Sequence, residues 1–212
     1  MAALDLQEQE QLDTLKAWWK DNGNFVLGAL LVVVVAMGGW RGWQYYQNKQ
    51  SAEAATLYAE FTRQLESNDA KRVNDAAAAV MDKYAGSAYA SRAALLAAQV
   101  NEFSKDVARA KTQLQWVIDH TGEASLKDVA RLRMAAILMD EKAYDGAMKL
   151  LNAAHPDSFN GLYSDLKGDV LSAQGKTDEA RTAYKLAYEK TDAKSMYRNL
   201  IQMKMDALGA AK

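Results

Sequence analysis

The sequence of 212 residues contains no cysteine and a single proline. The absence of cysteine excludes disulfide bonds, thiolate nucleophiles and cysteine-ligated metal sites. It fits an oxidising or a reducing compartment equally well, so it leaves the location of the protein open. Ala, Leu, Lys, Glu and Gln are abundant, and no segment alternates between apolar and polar residues as a half-buried strand would. The composition therefore favours an all-α fold.

Motifs for catalysis and cofactor binding are also missing. The sequence has no glycine-rich phosphate loop, no nucleophile elbow and no Ser/His/Asp constellation. Its two histidines, His120 and His155, fall at the ends of predicted helices, and no further ligands accompany them at helical spacing. The net charge of −1 argues against binding to nucleic acid. We expect no catalytic residues, no cofactor and no metal, and therefore a protein that is not an enzyme.

Charge is absent from one long stretch, residues 22–40, between Asp21 and Arg41. A helix of this length spans about 28 Å, close to the ~30 Å hydrocarbon core of a bilayer. A buried core helix is the weaker alternative, because Val32 to Val35 leave no polar face. A cleaved signal peptide is the stronger one, but the preceding segment is long and acidic rather than short and basic. We predict one uncleaved transmembrane helix at residues 22–43.

Aromatic residues flank this run on both sides. Amphipathic rings collect at the two membrane interfaces, so we expect four tryptophans to act as interface anchors: Trp18, Trp19, Trp40 and Trp43. Two basic residues lie near each end of the run, so the positive-inside rule does not fix the orientation. Residues 1–21 contain a partly amphipathic stretch, which either lies on the membrane surface or forms a frayed polar tail.

Residues 44–212 divide into helix-length segments separated by turn and cap residues. This part is long enough for one domain with a substantial core. The pattern predicts helices at 48–66, 70–84, 87–103, 106–120, 125–140, 143–153, 159–174, 177–190 and 193–208.

An internal repeat is clearest in residues 168–190, GDVLSAQGKTDEARTAYKLAYEK. Small residues at Gly168 and Ala180 suit two helices that pack closely, and Gly175 suits the turn between them. This spacing resembles the tetratricopeptide repeat, a pair of helices in 34 residues. Equivalent positions recur 33 and then 37 residues earlier, at Ala135, Ala147, Leu151, Ala154, Ala98, Ala110, Leu114 and Val117. We predict a right-handed tetratricopeptide-like repeat domain; a non-repetitive helical bundle is the alternative.

The last segment places Met196, Leu200, Met203 and Ala207 on one helix face, with Ile201 and Leu208 beside it. A terminal repeat needs a helix that covers its apolar side, and we assign this capping role to the segment. A methionine stripe that binds a ligand or a membrane is the alternative.

Repeat domains of this kind bind partners along a surface formed by the first helix of each repeat. The repeat register places six residues at positions that would face such a groove: Leu95, Gln99, Leu132, Met139, Leu162 and Asp169. They lack the Lys/Asn/Arg arrangement that clamps a C-terminal carboxylate in related chaperone-binding domains. The mixed, fairly apolar set suits unfolded or hydrophobic segments. Alternatively, these residues pack against neighbouring repeats.

The whole layout resembles one bacterial family. The resemblance covers LDTLKAWWKDNGN at 12–24, GWRGWQYYQNKQSAEAATLYAEF at 39–61 and NLIQMKMDAL at 199–208. These segments are similar to the YfgM family, the ancillary subunit of the SecYEG translocon. The junctions around Asn22-Gly23 and Gly39-Trp40-Arg41 and the terminal Gln202-Met203-Lys204 are its most specific parts.

The resemblance implies a single-pass protein of the bacterial inner membrane, with a cytoplasmic N-terminus and a periplasmic repeat domain at 44–212. Its implied partners are the SecYEG translocon, a PpiD-like membrane-anchored periplasmic chaperone, unfolded secreted polypeptides and membrane lipid. It would act as a non-catalytic adaptor. A membrane-anchored scaffold or receptor of another envelope-assembly or protein-import system is the second hypothesis. An enzyme or regulator with an unrecognised site is the third.

Overall fold

The computed structural model describes the backbone of residues 2–67 and 69–209, and the side chains from Glu10 onward. These residues are helical, and no strand occurs among them. A short 3-10 turn, Asp157–Phe159, precedes the seventh helix. The helices are α1 (Ala2–Leu65), α2 (Ala70–Lys83), α3 (Ala88–Phe103), α4 (Val107–His120), α5 (Ala124–Asp140), α6 (Tyr144–Leu151), α7 (Asn160–Ala173), α8 (Thr177–Lys190) and α9 (Tyr197–Ala207).

The chain divides into two compact units, one up to Gln50 and the other from Ser51 onward. The helix predicted at 48–66 is the C-terminal part of α1 rather than a separate element. No glycine or proline occurs between Gly42 and Leu65, so nothing in the sequence interrupts the helix there.

Within the part of the chain that the structure describes, α1 alone is long and apolar enough to cross a membrane. Only 6% of its apolar window is buried by the rest of the protein. The core helix of a soluble protein would be mostly buried. The exposed valines and leucines of α1 therefore fit a lipid environment, and the fold has a single N-terminal candidate membrane span.

The unit from Ser51 onward is built from repeats, as its turns show. Four residues with positive φ follow helices α3, α5, α7 and α9: Lys105 (65°), Lys142 (61°), Gly175 (77°) and Gly209 (77°). They are separated by 37, 33 and 34 residues. After each of the first three, a backbone N–H donates to the carbonyl five residues earlier, at 2.8–2.9 Å. This closing turn is a common end of helices, and its recurrence confirms the tetratricopeptide-like repeat.

Four clusters of buried residues follow one another along this unit. The first joins α1, α2 and α3 around Phe61, and the second joins α3, α4 and α5 around Leu114. The third joins α5, α6 and α7 around Tyr163, and the fourth joins α7, α8 and α9 around Ile201. Each helix thus buries its apolar face against its neighbours in the chain, as in a stacked repeat array.

The small residues of the predicted register lie where helices approach closely. Ala98, Ala110, Ala135, Ala147 and Ala180 have no exposed surface. The register fails at one position, because Ala154 is exposed and lies beyond the end of α6 at Leu151. Pro156 follows shortly, and a proline disfavours helical backbone in the residue before it. The second helix of this repeat is therefore shortened to eight residues.

Helix α9 covers the last repeat, as predicted, but with a different face. Ile201 is fully buried, and Tyr197, Met205 and Leu208 pack beside it against α7 and α8. Ile201 and Leu208, which the sequence placed beside the stripe beginning at Met196, make this contact, and the stripe itself points away from the core. Both stripes have helical spacing, so the sequence alone did not distinguish them.

Candidate interaction surface

The helices α3, α5, α7 and α9 are the first helices of successive repeats, because each precedes one of the four equivalent turns. One face of each carries no fully buried residue, although Leu96 and Leu166 on it pack against the clusters. On that face, residues recur at positions i, i+4, i+7 and i+11, starting at Arg92, Val129, Leu162 and Met196. Every starting residue lies thirteen positions before the positive-φ residue of its repeat. We call the residues at these positions the first-helix surface; none of them is buried.

The α9 part of the first-helix surface is apolar and open. Met196 is 87% exposed, Leu200 44% and Met203 66%. Ala207 continues the same face and is also exposed. Long apolar side chains on one helix face usually pack against another element. In the part of the chain that the structure describes, nothing covers this stripe.

The face of α9 that would meet a further second helix is different. It carries Asn199, Gln202 and Asp206, and the amide of Gln202 donates to Asp206 at 2.8 Å. A polar outer face is what the end of a repeat array requires. Since this end is already polar, the stripe from Met196 to Met203 is not an unfinished packing face. It continues the surface formed by the first helices.

The α7 part of this surface mixes apolar and polar groups. Leu162 is 41% exposed, and Leu166 is half-buried against the cluster around Tyr163. Asp169 accepts hydrogen bonds from the hydroxyl of Tyr184 at 2.7 Å and from the ammonium of Lys204 at 2.8 Å. The Lys204 contact connects the α7 stripe to α9.

A buried acidic group fixes the position of α9. Asp165 is 2% exposed and accepts hydrogen bonds from the hydroxyl of Tyr197 at 2.5 Å and from the ammonium of Lys204 at 2.7 Å. Burial lowers the pKa of Lys204, but hydrogen bonds to Asp165 and Asp169 outweigh it, and the net pKa is raised. Burial, and then the bond to Asp165, raises the pKa of Tyr197. Lys204 therefore stays charged and Tyr197 neutral near pH 7.

The same kind of contact joins α5 to α7. The hydroxyl of Tyr163 donates to Asp128 at 2.8 Å, and Asp128 is 1% exposed. Arg131 completes the group with a contact of 3.1 Å to the same carboxylate. An aspartate on one first helix and a tyrosine on the next thus recur at two successive steps of the array, and they keep successive first helices in register.

The two arginines on the α3 and α5 parts of the surface, Arg92 and Arg133, are paired with glutamates. The guanidinium of Arg133 donates to the carbonyl of Leu95 at 3.0 Å and to Glu102 at 2.9 Å. Arg92 makes two hydrogen bonds to Glu123, at 3.0 and 3.1 Å. Phe103 is 78% exposed and lines a cleft with the side chain of Arg133. A partner here meets local charge pairs, the exposed ring of Phe103, and the exposed side chains of Val129 and Asp140.

The six predicted groove residues fall into two groups. Gln99, Leu162 and Asp169 lie on the first-helix surface, where Gln99 and Leu162 are exposed and Asp169 is hydrogen-bonded. The other three, Leu95, Leu132 and Met139, pack against buried clusters, and Leu95 is only 8% exposed. The sequence left two alternatives for these six residues, facing a groove or packing between repeats. In the structure, three of them follow the first alternative and three follow the second.

Sequence reasoning missed the exposed residues Phe103 and Val129 and the side of α9 that faces out. The repeat register contained a signal for them. The residues thirteen positions before the four positive-φ turn residues are Arg92, Val129, Leu162 and Met196. The signal was weak in the sequence because two of the four turns carry lysine rather than glycine, at Lys105 and Lys142.

The four tryptophans predicted to anchor α1 are all exposed on that helix, at 49–67% of their surface. Trp19 lies over Gly23, where an added Cβ would come within 3.2 Å of the indole nitrogen. The tryptophan remaining in the sequence, Trp116, lies on α4 and is half-buried between two clusters.

Comparison with known proteins extends over almost the entire chain. A family described as a tetratricopeptide repeat-like domain matches residues 16–210. A protein of Neisseria gonorrhoeae named ancillary SecYEG translocon subunit is 30% identical over 210 residues, 97% of this chain and 99% of its own length. Proteins of the same name are 27% identical in Haemophilus influenzae and 26% identical in Escherichia coli K12. The alignments cover 97% and 95% of this chain, and 100% and 96% of those relatives.

Proposed function

Because the chain belongs to the family of ancillary SecYEG translocon subunits, we propose that it associates with SecYEG in the bacterial inner membrane. Its role is that of a non-catalytic adaptor. The similarity that supports this proposal includes the membrane anchor as well as the repeats, since the alignments cover 95–97% of the chain. The anchor holds the repeat domain beside the channel, and its outer surface contacts lipid and translocon helices.

We place residues 1–21 in the cytoplasm, the membrane span at 22–43 and the repeat domain at 44–212 in the periplasm. The lack of cysteine makes this topology directly testable, because one introduced thiol is then the only one. Ser104→Cys and Gln11→Cys both lie at exposed positions. In intact spheroplasts a membrane-impermeant maleimide should label the Ser104 variant and spare the Gln11 variant. Both should react after permeabilisation; the reverse pattern in intact spheroplasts would overturn the topology.

We further propose that the first-helix surface binds proteins in the periplasm, either a PpiD-like membrane-anchored chaperone or secreted polypeptides that emerge unfolded. One observation carries this proposal: the exposed stripe from Met196 to Met203 continues this surface while the end of the array is already polar. Methionine is unbranched and flexible, so it adapts to apolar segments of varied sequence. A translocon meets many such segments.

Photocrosslinking in vivo tests both contacts. A photoreactive amino acid at Met203 or Leu162 should crosslink to a periplasmic chaperone or to a secreted chain arrested in the channel. The same amino acid at Glu189 is a matched control, because this residue is exposed on α8 and lies outside the first-helix surface. At Val33 in the anchor we expect crosslinks to translocon helices. Equal crosslinking at Glu189 and Met203 would disprove the role of the surface, and no translocon crosslink along α1 would disprove the association.

The two classes of periplasmic partner separate in the same experiment. Crosslinks that appear only while a secreted chain is arrested identify the chain as the ligand. Crosslinks that persist after secretion is blocked upstream identify a resident partner. Leu162→Gln and Met203→Gln keep the helix but remove apolar surface, and they should weaken whichever contact is found.

A further inference from the structure

Methionine is the sulfur-containing residue of this sequence, so every sulfur atom in it is a thioether. The sequence has nine methionines and no cysteine. Five methionines of the repeat unit pack against buried clusters: Met81, Met134, Met139, Met148 and Met205. Met37 lies in the apolar part of α1, which is the candidate membrane span. Met196 and Met203 differ from these, since both are on the exposed stripe of α9.

Exposure separates the two groups. Met196 is 87% exposed and Met203 is 66% exposed, whereas Met134 is 6% exposed and the other four packed methionines are half-buried. Oxidation of sulfur depends on access of the oxidant to the atom. The two residues also lie seven positions apart on one face, so both sulfurs belong to one contact surface.

We propose that Met196 and Met203 are a modification site at which two-electron oxidants switch the α9 part of the first-helix surface from apolar to polar. Hydrogen peroxide transfers one oxygen atom to each thioether: the sulfur is oxidised to a sulfoxide, the O–O bond breaks, and water leaves. Each methionine thus consumes one peroxide and gains a strong S=O dipole. Methionine sulfoxide reductases reverse the change, with one enzyme for each sulfoxide epimer.

The consequence for binding rests on the proposed function of this surface. A sulfoxide that becomes buried against an apolar segment loses its hydrogen bonds to water. An unsatisfied polar group of this kind weakens association by roughly tenfold or more. Leucine has nearly the same volume as methionine and cannot take up oxygen. Met196→Leu together with Met203→Leu should therefore keep the apolar surface and remove the switch.

The first experiment measures the site of oxidation. The full chain in lipid nanodiscs is treated with dilute hydrogen peroxide, and peptide mass spectrometry follows each methionine with time. Met196 and Met203 should gain oxygen several-fold faster than Met134 and Met139. The circular dichroism spectrum should stay unchanged during this phase, because the packed methionines are still reduced. Equal rates at all methionines of the repeat unit would overturn the proposal.

The second experiment measures binding, with reduced and carboxymethylated α-lactalbumin as a permanently unfolded probe. Oxidation should weaken binding of the wild-type protein roughly tenfold, and treatment with both reductases should restore it. The leucine double variant should bind with or without peroxide. If oxidation leaves the wild-type affinity unchanged, or weakens the double variant equally, the switch is disproved. If the unoxidised protein binds no unfolded chain, the client-binding part of the proposed function fails, while the oxidation rates still decide the modification site.

Discussion

The ring of Tyr184 lies directly over Gly168, so close that a Cβ atom on Gly168 would overlap its ring carbons. This contact sets the distance between α7 and α8, the last pair of helices in the repeat unit. Tyr184 is 3% exposed, and its hydroxyl reaches past Gly168 to donate to Asp169 at 2.7 Å. Helix α9 and its exposed stripe rest on this pair, so the contact also positions the apolar end of the first-helix surface.

We expect Gly168→Ala to destabilise the repeat unit by roughly 1–3 kcal/mol, because the added methyl group displaces a packed ring. Thermal unfolding followed by circular dichroism measures the effect. Gly146→Ala on α6 is a matched control, since its Cβ would meet only the end of the Leu138 side chain, at 3.3 Å. We expect the control to change stability by less than about 1 kcal/mol. Equal effects of both variants would contradict a specific role for Tyr184.

Lys142 occupies a left-handed turn with φ of 61°, at the position where the next repeat has Gly175. A residue with a Cβ atom is strained there, so Lys142→Gly should stabilise the protein by about 1 kcal/mol or less. The reverse exchange, Gly175→Ala, should cost about 1 kcal/mol. Chemical denaturation of both variants compares the two turns. A loss of stability in Lys142→Gly would show that the lysine side chain contributes more than its backbone strain costs.

Removal of the Lys204 ammonium should leave Asp165 charged and buried without its cation. We expect Lys204→Met to lower the free energy of unfolding by roughly 3 kcal/mol. This value is at the low end of the range for a broken buried ion pair, because the Lys204 side chain is 24% exposed. Hydrogen exchange should show the loss first in α9. Lys194→Met is the control, since Lys194 is exposed; a similar loss there would exclude the pairing as the cause.

The protein should lose stability at alkaline pH through the groups that hold α9. The pKa of Tyr197 is raised from its ordinary 10.0, and that of Lys204 is raised from 10.5. A group whose pKa is raised in the folded state stabilises the protein fully while the pH is below the ordinary, unfolded-state pKa. This stabilisation is lost as the pH rises through the raised, folded-state pKa. The melting temperature should therefore hold up to about pH 9 and fall above about pH 10. Tyr197→Phe should show a shallower fall, and an identical profile would rule out Tyr197 as a contributor.

The tryptophans that flank the span should report the membrane interface. In vesicles whose lipids carry bromine near the headgroup, we expect quenching of fluorescence from Trp18, Trp19, Trp40 and Trp43. A variant that retains only Trp116 should be unaffected, because this residue lies in the repeat unit. Quenching of Trp116 to the same extent would contradict the assignment of the four anchors.

Much of the fold followed from sequence because its determinants are local. The uncharged run from Asn22 to Trp40 predicted the apolar helix, and breaks at turn residues predicted eight of the helices to within a few positions. The pairing of Gly168 with Ala180 predicted the close approach of α7 and α8. Two of the predicted groove residues, Gln99 and Leu162, are exposed on the first-helix surface, and their role in binding stays a prediction.

Other features depend on contacts between residues that are distant in the chain. Asn74, Asn101 and Gln113 form a closed ring of hydrogen bonds at 2.7–2.8 Å that joins α2, α3 and α4. Lys204 reaches Asp165 across 39 residues. A periodic pattern shows which residues share a helix face, but it does not show which polar groups on different helices will meet.

The amino-acid sequence by itself determined one long apolar helix and a helical repeat, since each depends on composition or on spacing along a single helix. Only the tertiary structure decided which face of α9 is buried. The stripe at Met196 and the stripe at Ile201 both have helical period, and the pairing of Lys204 and Tyr197 with Asp165 selects between them. Because that polar pairing turns Ile201 inward, the methionines face outward, and the apolar end of the first-helix surface exists for this reason.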